Sequence, residues 1–125
     1  MSHFSTIAIA IKDLNALRSA CAELHLELVA NAEARGYGTN RLKGDHVIRL
    51  KGPYDVALQR QSSGDYRLVA DLWEGHVERE VGTGFGRLKQ LYGVHKTVRE
   101  AHHQGLNVRR QNLADGRIRL AIVRA

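Results

Sequence analysis

The sequence is poor in the residues that staple, bend or anchor a chain. It has one cysteine, Cys21, and one proline, Pro53. A lone cysteine excludes an internal disulfide framework, and no Cys-x-x-Cys or His-Glu-x-x-His spacing marks a metal site. Cys21 falls on the apolar side of a helical pattern, where a small buried hydrophobe is the expectation. Aromatic residues make up only 6%, and no aromatic-rich basic stripe of the kind that stacks on bases is present. No apolar run approaches the roughly 20 residues that span a bilayer, and no charged segment leads into one as in a secretory leader. The expectation is a cytoplasmic protein with no membrane partner.

Acidic residues are scarce in one region only. Residues 81 to 125 carry nine Lys/Arg against two Asp/Glu, net +7, whereas residues 1 to 80 carry ten against eleven, net −1. A segment so unbalanced attracts nucleic acid or an acidic protein surface through a field that salt weakens.

What is present suits one domain. A chain of 125 residues buries about two thirds of its unfolded surface, enough to fold without staples. Alternation over Phe4 to Lys12 reads as a half-buried strand, and Asp13 then offers an N-cap to a helix over about 13 to 24 with Leu14, Leu17, Cys21 and Leu24 on one face. A short strand follows near Leu26 and Leu28, and residues 31 to 44 read as a loop from Gly36, Gly38, Asn40 and Gly44. Three strand-like runs come next, over 45 to 51, 55 to 61 and 66 to 73. The last two form a hairpin whose faces are both apolar, as in the middle of a sheet. Residues 73 to 86 break the pattern; Gly82-Thr83-Gly84-Phe85-Gly86 satisfies no phosphate-loop spacing and reads as a flexible hinge. A second helix occupies about 87 to 103, with a kink expected at Gly93. The chain then closes on a hairpin around Asp115-Gly116. The fold expected is a single α+β domain over residues 1 to 125, an antiparallel sheet of about six or seven strands packed with two helices. Two helices leave part of a two-faced sheet uncovered, so self-association is compatible with the pattern.

Candidate binding residues follow from the charge. Arg109, Arg117 and Arg119 share one face of the terminal hairpin, and Lys89, Lys96 and Arg99 lie on the preceding helix. Guanidiniums gathered on a sheet grip phosphates or carboxylates bidentately. A second candidate is Arg35-Gly36-Tyr37, a cation and an aromatic on glycine-flexible backbone, suited to stack on a base or clamp an acidic group. The seven histidines show no ligand spacing, and no nucleophile elbow or Ser/His/Asp set is visible. No catalytic residue, metal or cofactor is assigned, and the reading leans away from an enzyme.

Several segments resemble a known family. Met1-Ser2-His3-Phe4-Ser5-Thr6-Ile7, Arg35-Gly36-Tyr37, Tyr54-Asp55-Val56, Tyr66-Arg67-Leu68-Val69-Ala70-Asp71, Tyr92 and Asp115-Gly116 are similar to the uncharacterised family called hypothetical chloroplast reading frame thirty-five. That resemblance spans nearly the whole chain. It implies no established activity and supplies no catalytic residues. It admits a plastid-stroma-like compartment, and it implies an accessory role beside an AAA-type ATPase as one alternative. The function expected is that of a small, basic, non-catalytic binding or adaptor protein, with an enzyme using the Arg35-Gly36-Tyr37 loop or His76 as a further alternative.

Overall fold

The structure is a computed structural model that describes residues 3–124. Met1 and Ser2, which open the first resemblance segment, therefore lie outside the described residues. The described residues form seven strands and two long helices: β1 (Phe4–Ile11), α1 (Leu14–Glu23), β2 (Glu27–Arg35), β3 (Arg41–Arg49), β4 (Val56–Arg60), β5 (Tyr66–Asp71), a short α2 (Glu78–Val81), α3 (Gly86–His103), β6 (Leu106–Asn112) and β7 (Ile118–Arg124). The fold is α+β and every strand pairing is antiparallel. The strands divide into two sheets. Five form the main sheet in the order β1-β5-β4-β3-β2, and β6 and β7 form a separate two-stranded sheet. The β4–β5 hairpin lies inside the main sheet, as its two apolar faces require.

The helices cover one face of the main sheet. Ile48, Val56, Leu58, Leu68 and Ala70 point to that side and meet Leu17, Cys21, Phe85, Leu88 and Leu91 in one core. Burial there pushes the Cys21 thiol up to about 12, so it stays a protonated, inert hydrophobe. Asp13 caps α1 by accepting from the Ala16 N–H at 3.0 Å. The two helices are pinned together at that end. The Tyr92 hydroxyl accepts from the Lys12 and Asp13 N–H groups at 2.9 and 3.0 Å, and the Arg99 Nε donates to Asp13 at 3.0 Å. α3 continues through Gly93 without a break, so the glycine lowers helix propensity there without interrupting the element.

The other face is covered by the chain itself. Residues 31–44, expected as a loop, are mostly strand, and only residues 36–40 connect β2 to β3. Glycine, asparagine and small alanines disguised the alternation. The same residues bend the hairpin. Asn31 adopts φ 48°, and a Cβ on Gly44 would lie 2.5 Å from the His46 carbonyl oxygen, a close approach that strand glycines permit. Beyond this bend Ala32, Ala34 and Leu42 pack on Val47 and Ala57. The β2–β3 hairpin is thus an arm folded across the sheet. Its tip reaches the far edge: a Cβ on Gly36 would sit 2.7 Å from the Phe4 ring, and the Tyr37 N–H donates to Asp71 at 2.9 Å. The face that two helices leave open is filled by this arm.

Residues 73–86, where the strand pattern breaks, are a run of short helical turns, and residues 82–86, read as a hinge, belong to it. Val77, Val81, Phe85 and Leu88 are all buried, a helical spacing that the intervening glycines hid. Two carboxylates tie the run down. Glu78 accepts from the Gly84 N–H at 2.7 Å, and Glu80 accepts from the Lys51 and Gly52 N–H groups at 2.6 and 2.9 Å.

Candidate functional site

Two regions of the fold gather charge, and they do so differently. The first lies where the arm closes on the sheet. Asp55, just ahead of β4, is fully buried. Its carboxylate accepts from the Arg35 backbone N–H at 2.9 Å, from Arg35 Nε and Nη2 at 2.8 Å each, from Arg49 Nη1 at 3.0 Å and from the Leu50 N–H at 3.1 Å. Burial alone would raise this carboxyl. The Arg35 side chain, the two backbone N–H groups and the Arg35 charge outweigh it and hold the group below its ordinary value, as hydrogen bonding to a charged form does. Arg35 is therefore a clasp between the arm and the sheet. Tyr37, its neighbour at the tip, remains 49% exposed and meets Trp73 edge to face at 6.2 Å.

The second region is the β6–β7 hairpin. Its even-numbered side chains face the helices: Ile118 packs on the core, and Arg110 reaches Glu23 of α1 at 2.5 and 3.1 Å. Glu23 also binds His95 of α3 at 2.7 Å. The Arg110 hydrogen bond, with help from His95 and against burial, holds the Glu23 carboxyl below its ordinary value. Strand alternation turns Arg109 and Arg119 the other way. With Gln111 and Ala121 they line a shallow depression of about 220 Å³.

The six basic residues expected to act together do not form one surface. Arg109 and Arg119 share the hairpin's outer face and have no carboxylate partner among the described residues. Arg117 precedes β7 and folds back on Asp115, its N–H and Nε at 3.1 and 2.7 Å. Lys96 pairs with Glu100 at 2.8 Å one helical turn on, and Arg99 is held by Asp13. Lys89 is exposed on α3 and has no ion pair among the described residues. Internal carboxylates thus take three of the six cations.

Comparison with known proteins gives a family and adds no activity. The family described as "Protein of unknown function (DUF1257)" matches residues 20–121. The chain belongs to the DUF1257 family. It is similar to an "Uncharacterized protein ycf35" of Pyropia yezoensis, 32% identical over 99% of this chain and 98% of that protein. A second "Uncharacterized protein ycf35", from Guillardia theta, is 28% identical over 99% of this chain and 98% of its own length. No solved structure matches this DUF1257 chain.

Four of the segments that carry the family resemblance converge at the arm's landing site. Phe4 meets Gly36, Arg35 grips Asp55, and Asp71 accepts from the Tyr37 and Trp73 N–H groups. The partners of these residues were missed in the sequence. A lone acid inside the apolar run Tyr54-Asp55-Val56-Ala57-Leu58 signals a buried charge that needs cations, and it was readable. Which cations answer it was not, because they come from two other strands. Among the described residues no helix is long and apolar enough to cross a membrane.

Proposed function

We infer that this DUF1257 protein is a non-catalytic adaptor whose β6–β7 hairpin binds an acidic protein surface. One observation carries the reading: among the described residues Arg109 and Arg119 on the hairpin's outer face have no carboxylate partner, whereas Arg117, Lys96 and Arg99 are neutralised from within. On the same face Val123 is 37% exposed, and on the opposite face Ile122 is 54% exposed. An apolar side chain on the face of these arginines suits a protein interface, which buries both kinds of surface. The strand edge of β7 also lacks a neighbour among the described residues, and such edges pair readily with extended segments. The guanidiniums of both charged regions bind and orient anions but do not exchange protons near neutral pH. This supports binding over acid–base catalysis.

Phosphates of a nucleic acid are the second reading, favoured by Gln111 beside the two arginines. No Phe, Tyr or Trp follows Tyr92 in the sequence, so this hairpin offers no aromatic ring for a base to stack on. An accessory place beside an ATPase assembly is one form the adaptor role takes, with the acidic surface supplied by that assembly. The test is recovery of the tagged protein from cells at low and moderate salt, with and without nuclease, alongside an Arg109→Ala/Arg119→Ala variant. The adaptor reading expects one protein partner in fixed stoichiometry that survives nuclease and is lost with the arginines. Binding abolished by nuclease would assign the hairpin to nucleic acid, and its steep salt dependence would count phosphate contacts. A partner that the variant retains would remove the hairpin from the function.

A further inference from the structure

The folded arm carries a second feature that the adaptor reading does not use. In the β2–β3 ladder Arg35 stands directly opposite Arg41, and like charges so placed repel one another. Arg49 lines the same open cleft, with Asn31, Ala32 and Glu33 completing a volume of about 650 Å³. Asp55 is shared by Arg35 and Arg49, Glu80 adds its charge at Arg35, and Glu33 in the cleft stands opposite Lys43. Arg41 has no carboxylate partner among the described residues.

Each guanidinium is fixed along one edge and unused along another. Arg35 commits Nε and Nη2 to Asp55 and to the Leu50 and Gly52 carbonyls at 3.2 and 2.9 Å. Arg49 commits Nη1 to Asp55 and to the Glu33 carbonyl at 2.6 Å. Arg41 commits Nη1 to the Gly38 and Asn40 carbonyls at 3.2 and 2.7 Å. Nη1 of Arg35, and Nε and Nη2 of Arg41 and Arg49, have no partner among the described residues. Guanidiniums held in this way lose little rotamer freedom when an anion arrives, and their planar forks match tetrahedral and carboxylate oxygens.

We propose that the cleft formed by Arg35, Arg41 and Arg49 is a binding site for a small phosphate-bearing anion. A phosphate group neutralises the Arg35–Arg41 repulsion and engages the unused N–H edges together. Free phosphate and a phosphate monoester share that chemistry, and the open mouth admits either.

Arginine Nε–Hε signals of the full chain, followed by NMR while chloride is replaced by inorganic phosphate at constant ionic strength, test the site. Methyl phosphate serves as the second arm. Saturable shifts at Arg41 and Arg49 are expected. Arg41→Gln, which breaks no ion pair with a carboxylate, should keep the fold and weaken the affinity about tenfold, the scale of one charge-assisted hydrogen bond. Glu33→Gln removes the opposing carboxylate and should tighten binding, whereas Arg119→Gln on the distant hairpin should leave it within about twofold. Tighter binding of methyl phosphate would assign the site to an ester, and equal or weaker binding to free phosphate. Shifts that stay linear, or a saturable shift unchanged in Arg41→Gln, would overturn the proposal. The hairpin variants separate this site from the adaptor surface, because each reading can fail while the other stands.

Discussion

Two antiparallel hairpins of this protein are rich in arginine, three in β2–β3 and five in β6–β7, and the fold uses them differently. In the β2–β3 arm, Arg35 and Arg49 converge on Asp55, a carboxylate with no exposed surface. In the β6–β7 hairpin, Arg110 meets a partly exposed Glu23, and Arg109 and Arg119 meet no acid among the described residues. The first arrangement closes a layer of the fold. The second leaves charge on display. Location relative to a carboxylate, and not the number of arginines, decides whether a basic segment is structural or available to a partner. A buried ion pair is costly to break because the surviving charge stays desolvated, whereas exposed cations contribute little to folding.

The largest effect should follow from removing the centre of the arm. Asp55→Asn leaves Arg35 and Arg49 without their carboxylate and should cost about 3–5 kcal/mol in denaturant unfolding. Acid should reproduce part of this loss. The folded-state Asp55 carboxyl lies below its unfolded value, so its stabilisation is complete above about pH 4–5 and disappears as pH falls through the lower folded-state value. A pH series of unfolding midpoints should show this acid-side loss in the wild type and a weaker one in Asp55→Asn. A smaller effect belongs to the tether of the second hairpin. Glu23→Gln weakens its links to Arg110 and His95 and should cost about 1 kcal/mol. Hydrogen exchange should then quicken in β6 and β7 and remain unchanged in β4 and β5; uniform quickening would mean that the hairpin opens only with the whole domain.

Much of the architecture was legible because it rests on local pattern. The Asp13 cap, the α1 stripe, the two-faced β4–β5 hairpin and the Asp-Gly turn each declare themselves within a few residues. The arm did not, since Ala30, Ala32 and Ala34 are too small to mark a strand and Gly44 resembles a loop residue until His46 and Ala57 are seen against it. Phe85 shows the same limit: glycines on both sides concealed the helical spacing that takes it into the core. At the candidate site, alternation put Arg109 and Arg119 on one face. It also put Arg117 there, and a turn acid two residues earlier draws that side chain away. Pairings such as Asp13 with Arg99 or Glu23 with Arg110 join residues far apart in the chain, so no local rule reveals which cations are spent.

The most direct test compares Arg35→Ala with Arg109→Ala/Arg119→Ala by denaturant unfolding at neutral pH. The expected result is a loss of about 3–5 kcal/mol for the single substitution in the arm, against a change within about 0.5 kcal/mol for the double substitution on the hairpin. Equal losses, or a larger one in the hairpin variant, would contradict the division of the two basic hairpins into a structural clasp and an open surface.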